Sequence, residues 1–471
     1  MRPVRIGRLM VVLVRGGWVR MRRSPNRWQI TSVLAVTVAM GTSAACSPSG
    51  HAAKNVVFVP TSPPAAPPAA SALLTPPADS PGSAAALAAG HWTTLPTAPI
   101  PARSNALGIW TGSQVIVWGG ASGAKGDRLR SDGAAYTPAT RNWNVLPPAP
   151  LDERTGMVSV WTGHELFVWG GNDNAADASA FASDGAVFTP SDQQWRKLPR
   201  SPLTANQYPQ AALVNGIVVV VGIEVGPPPT TFAPGAVKAS KVSAATYDPN
   251  TNAWALMPAM PSTDGHHVTY VTVAANKGRL FVWQHWESGG GDFGIDRVSY
   301  DPTTPGWKQD RDATNPPRDV AGHAGIDEAI PAGSTFLVPA APLWCGGCPG
   351  PAPDLAPHGW IYSIAKNVWA AVPQEPAGDT WVWTGASLLS VFGSGDGTQG
   401  VTPRGATAVW DPATNQWSRL PDPPFDAQFG DAVAVWAGDQ LIEWGSMYPA
   451  TEPLTGASAV TTQNVGLSLS G

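Results

Sequence analysis

The sequence predicts an all-β chain folded as a seven-bladed β-propeller, and three observations lead there. Tryptophan-centred segments at Trp92, Trp143, Trp195, Trp254, Trp307, Trp369 and Trp417 return at spacings of 51, 52, 59, 53, 62 and 48 residues. Between them lie apolar runs of strand length with no helical pattern, which at a period near fifty means a circular array of four-stranded sheets. The Trp92 segment has no strands before it and the final repeat has no tryptophan strand after it, so the two ends complete one blade. Six blades is the alternative count.

Composition agrees: 50 Gly, 49 Pro and 22 Trp in 471 residues, with 13% charged, describe a turn-rich β chain. Eight arginines fall within the first 28 residues and no acid precedes Cys46. Without those eight, 21 of the 29 basic residues face 33 acidic ones, about −12 in net charge. Such a surface repels phosphate backbones and argues against nucleic acid as a partner.

Residues 1–45 read as an export signal, with Arg22, Arg23 and Arg27 before the apolar run Ile30 to Met40 and small residues at Ser43-Ala44-Ala45. That run is shorter than the roughly twenty residues a bilayer span needs. Ser43-Ala44-Ala45-Cys46 resembles a bacterial lipoprotein box, which implies lipidation at Cys46 and a membrane anchor on the outer face; plain secretion is the alternative. Residues 46–90 are rich in Pro, Ala and Ser, too poor in aromatic and branched side chains to offset ordering entropy, and read as a disordered tether. The propeller is expected over residues 91–471.

The clearest repeat, Arg103 to Pro147, sets the pattern for the rest. An A strand at Ala106–Trp110 turns through Thr111-Gly112-Ser113 into a B strand at Val115–Trp118, stopped by Gly119-Gly120. A polar loop leads to a C strand at Gly133–Tyr136, and a turn at Thr137–Thr140 to a D strand from Trp143 to Pro147. In the last repeat the A strand is expected at Ala432–Trp436, B at Leu441–Trp444 and C around Ala457–Val460. The recurring tryptophans read as core, the double glycines as positive-φ turns, and Asp248-Pro249, Asp301-Pro302 and Asp411-Pro412 as C-to-D turn formers.

Arg103 before strand A, Gly119-Gly120 and Gly170-Gly171 after strand B, Tyr136 or Tyr247-Asp248-Pro249 in strand C, and Trp in strand D together resemble kelch repeats, of the galactose-oxidase-like bacterial type. The likeness spans about residues 91 to 460 and thins in three blades. Gly222 alone remains in blade three, Trp283-Gln284 replaces the double glycine in blade four, and Phe336-Leu337-Val338 runs into Pro339 in blade five.

Function in propellers collects on the face where D-to-A links and B-to-C loops converge over the central channel. The ligand-binding candidates there are Arg103, Arg154, Tyr208, His267, His285, Glu287 and Arg318, with His266, Asp292, Asp296, Asp379 and Asp426 beside them. Several arginines together suit a carboxylate. Resemblance to kelch repeats also implies a structural use of the arginines, pairing with a neighbouring loop. The adjacent His266 and His267 point to opposite sides of a strand, no zinc-type pairing of cysteines and histidines occurs, and neither metal nor cofactor is expected. Cys345-Gly346-Gly347-Cys348 reads as a disulfide stiffening a loop. The leading reading is an extracytoplasmic binding module for a protein or glycan. The alternative is an exported carbohydrate-active enzyme resembling the periplasmic sialic-acid epimerases, with His267 and Glu287 as base and acid.

Overall fold

A computed structural model shows seven four-stranded antiparallel sheets arranged in a ring. It describes the strand segments 9–14, 17–24 and 27–30 and most of residues 73–471. Outside the description lie 31–72, the loops 124–127, 174–180, 225–240, 288–292, 311–327, 339–358, 374–379, 392–407 and 450–462, and positions 75–76, 78–79, 205, 262, 264–265 and 425–426. Cys46, Arg318, Cys345 and Cys348 are among these. The chain forms two compact units, Met1–Pro64 and Ala65–Gly471. In the first, Leu9–Val14, Gly17–Ser24 and Arg27–Ile30 pair as a three-stranded antiparallel sheet. No helix among the described residues is long and apolar enough to cross a membrane.

Blade one takes the expected order: A at Leu107–Trp110, B at Val115–Trp118, C at Gly133–Thr137 and D at Asn142–Val145. The weakly patterned blades form the same sheets, with A strands at Asn206–Val214 in blade three, His267–Asn276 in blade four and Ile330–Ala332 in blade five. A strands of neighbouring blades touch around the axis from blade six through seven and one to five, and that of blade seven, Ala427–Trp436, touches that of blade one. At this junction Gly108 is indispensable, because a Cβ there would stand 2.1 Å from Val433.

Blade seven settles the count. Its A and B strands, Ala427–Trp436 and Gln440–Pro449, are followed by a C strand that pairs with His91–Thr94 through Ser468↔Thr93 and Leu469↔Trp92. That C strand is Gln463–Ser470. The expected position at Ala457–Val460 is displaced, because the buried Leu467 and Leu469 alternate with Gly466, Ser468 and Ser470 and supply the period-two face. Asn464 fastens the seam further, donating to the carbonyls of Ala98 and Ile100 at 2.9 and 2.8 Å. Closing the ring removes two open sheet edges.

The folded body also begins before His91. Leu74 is buried against blades five and six, and a short helix, Ala84–Ala88, capped by Ser83, places Leu87 fully inside the apolar wedge between blades six and seven.

The recurring tryptophan does more than fill space. Its indole N–H reaches out of its own D strand to the carbonyl of the proline that ends the D strand of the preceding blade. Trp143 donates to Pro96, Trp195 to Pro147, Trp254 to Pro199, Trp307 to Pro258 and Trp417 to Pro373, at 2.9 to 3.1 Å. Trp92 donates to Pro421 at 2.8 Å across the seam. Each such bond contributes about 1 kcal/mol beyond the aromatic packing. The turn formers behave as expected, the side chains of Asp248, Asp301 and Asp411 each accepting from a backbone N–H two residues on at 2.9 Å.

Candidate functional site

Arg103 and Arg154 sit on the loop-rich face, each in the link that enters its blade, but neither guanidinium is open to a ligand: both side chains are 1% exposed or less. Arg103 donates to the carbonyls of Pro101 and Gly119 and makes a two-pronged contact with Asp132 at 2.9 and 3.2 Å. Arg154 likewise donates to the carbonyls of Asp152 and Gly170 and makes a single bond to Asp184 at 2.8 Å. Burial pushes the Asp132 and Asp184 carboxyls up, but hydrogen bonds from Arg103 and Arg154 and the charges of these arginines, with Lys197 beside Asp184, together outweigh it and hold both below the ordinary range. The clamp fixes the start of strand C to the end of strand B, where Gly119 and Gly120 turn with φ of 68° and 88°. These two arginines are therefore corrected from ligand candidates to structural ones. Arg154→Met is expected to cost about 2–3 kcal/mol, below the 3–5 of a fully enclosed pair because Asp184 stays 37% exposed, and urea unfolding measures it.

Of the other candidates, Arg318 lies outside the described residues, and Tyr208, His267, His285 and Glu287 fall in blades three and four. There the A and B strands are long, and both A strands pass through a bulge, between Gln207 and Gln210 and between Val268 and Tyr270. Blade seven has a third bulge, between Gly430 and Val433. Bulges re-aim side chains and concentrate near functional sites. Tyr208 lies inside the first bulge, with its side chain outside the description. On either side of the second, His267 stands directly opposite Glu287 and Tyr270 opposite His285. The His285 ring lies 5.5 Å from the Tyr270 ring and its Nε2 is 3.3 Å from the Thr272 hydroxyl. Gln210 of blade three donates to the Tyr270 hydroxyl at 3.5 Å, so the cluster joins two blades.

Beside this cluster a cleft of about 440 Å³ opens between the same blades, beneath the link that joins them. Met257, Met260, Leu256 and Val268 give it apolar walls; Ser243, Gln284 and His266 place polar groups among them. His266 stacks on Trp286 with ring centres 4.1 Å apart and planes 11° from parallel. Gly294 admits that indole, since a Cβ there would lie 2.2 Å from it. The adjacent histidines thus separate, His266 to the cleft and His267 to the strand pair.

Among the described residues no group of three or more His, Cys, Asp or Glu is placed to hold a metal. No protein-family model matches the sequence, and no curated protein is significantly similar to it. Sequence reasoning passed over the cleft because its lining residues are unremarkable singly. The signal was in the departures from the repeat, Gln284 in place of a glycine above all.

Proposed function

We propose that this propeller is an exported kelch-type binding module, anchored by lipid at Cys46, that takes an extracellular protein or glycan on the face built by the long hairpins of blades three and four. The observation that carries this reading is the inter-blade cluster of Gln210, Tyr270, His285 and Thr272 beyond the two bulges. Export and anchoring rest on the arginine-rich head and the Ser43-to-Cys46 segment, and the kelch assignment on the repeated Arg, Gly-Gly, Tyr and Trp positions.

The acidic-sugar part of the enzyme alternative loses support, because Arg103 and Arg154 are committed to Asp132 and Asp184. Only the opposition of His267 and Glu287 favours catalysis. The test is a glycan array and a surface-protein capture run with the mature chain and with Tyr270→Ala and His285→Ala. Specific binding that falls at least tenfold in both variants, while Glu287→Gln retains it, is the expected result. Binding indifferent to both substitutions overturns the site, and turnover of a bound glycan that Glu287→Gln abolishes overturns the binding-only reading.

A further inference from the structure

Six of the seven links between blades share a proline pattern, the exception being the one after Trp307. Four and seven residues after the D-strand tryptophan stand prolines, as in Pro96 and Pro99, Pro147 and Pro150, Pro199 and Pro202, and Pro258 and Pro261. At the eighth position three of these links carry an aliphatic plug, Ile100, Leu151 and Leu203, buried to 3%, 6% and 4% exposure. The fourth carries Ser262. At the eleventh position Arg103 and Arg154 close the space below their links, whereas the link into blade four has Gly265. At the end of strand B, where blades one and two have Gly119 and Gly170, blade four has Gln284, only 2% exposed and bordering the cleft.

Its chemistry follows from what surrounds it. The cation at its edge, Lys241, is neutralised by Glu224 at 2.7 Å. Burial works to raise the Glu224 carboxyl, but bonds from Lys241 and Ser243 outweigh it and keep it ionised. The walls therefore offer no unbalanced charge for a carboxylate or phosphate. Leu256, 63% exposed, stands at the mouth, and two methionines give an adaptable apolar wall. The Gln284 amide donates to the Pro261 carbonyl and the Ser243 and Thr263 hydroxyls to Glu224 and the His266 carbonyl, which leaves their oxygens as acceptors for one donor on a ligand within the apolar lining.

We propose that the cleft between blades three and four is a binding pocket for a neutral, largely apolar small molecule with one hydrogen-bonding group. It deepens the binding-module reading, since it lies on the same face, but does not depend on the Tyr270–His285 cluster. The test uses N-phenyl-1-naphthylamine, a neutral fluorophore with one N–H, and its sulfonated analogue 8-anilinonaphthalene-1-sulfonate, titrated into the mature chain. The expected result is saturable one-to-one binding of the neutral probe, tighter than the anionic one, and weakened at least tenfold by Ala259→Trp, at an exposed position on the mouth. Thermal unfolding of Ala259→Trp checks its fold. Met260→Glu, which places a charge on the apolar wall, gives the same loss. Absence of saturable binding, binding indifferent to both variants, or preference for the anionic probe each overturns the proposal. Loss of glycan or protein binding in Tyr270→Ala with probe binding retained separates the two readings.

Discussion

Deleting residues 1–96 is expected to cost well over 5 kcal/mol, which is most of the net stability of an ordinary domain, and to leave an aggregating protein. The deletion removes the strand His91–Thr94 and leaves the C strand Gln463–Ser470 as an unpaired, eight-residue edge. It also takes away Leu95, 5% exposed within the apolar wedge between blades seven and one, whose loss alone costs about 2–5 kcal/mol. Two inter-blade hydrogen bonds go with it, from Trp92 to Pro421 and from Trp143 to Pro96. The comparison chain lacks only residues 1–72 and keeps Leu74, the helix and the closing strand. Urea unfolding and size-exclusion chromatography are expected to find it a folded monomer. Equal stability of the two chains would show that the N-terminal strand does not close the ring.

Glu443→Val is expected to stabilise the protein by roughly 2 kcal/mol near pH 5, and by more as the pH rises. Glu443 lies in the B strand of blade seven, 2% exposed, and neither carboxyl oxygen has a hydrogen-bond partner. It follows Ile442 and precedes Trp444, the place held by Val117, Val168 and Val282 before the tryptophans of blades one, two and four. Alternation along the strand puts it on the face of Leu441, which packs with Leu469, Val391 and Val409 between blades six and seven. No titratable group among the described residues is bonded to it, and burial raises its carboxyl well above the ordinary 4.5. The unfolded chain releases this proton near its ordinary value while the folded chain retains it. Stability is therefore fully present below that pH and falls as pH rises toward the folded value, by about 1.4 kcal/mol per unit. Urea midpoints of the parent and of Glu443→Val, taken at pH 5 and pH 8, are expected to diverge. Parallel midpoints would mean that the carboxyl has a partner in the fold.

The ring, its blade count and its closure were legible because each blade must bury the same wedge, and a large aromatic at one position betrays every repeat even where the glycines are lost, as in blade four. The prolines bonded to six of these indoles were visible too, but each partner lies on the next blade, so only the ring geometry reveals the contact. Arg103 and Arg154 looked like ligand groups, while Asp132 and Asp184 follow them by 29 and 30 residues, a regular offset that marks an internal pair. The C strand of blade seven was misplaced because Ala457–Val460 is a denser apolar run than the alternating Gln463–Ser470, and alternation is the better strand signal. The cleft was the least legible, since its lining residues are ordinary singly and come together only across two blades.

The account rests on the seam between the ends of the propeller, and a cross-link tests it most directly. Thr93 and Ser468 face each other on adjacent antiparallel strands, where Cα atoms stand about 4.5–5.5 Å apart, within reach of a disulfide. Thr93→Cys with Ser468→Cys, oxidised and mapped by peptide mass spectrometry, is expected to yield a 93–468 disulfide in the monomer and to raise the melting temperature. Free thiols at both positions in a folded monomer would contradict the closed seven-bladed ring.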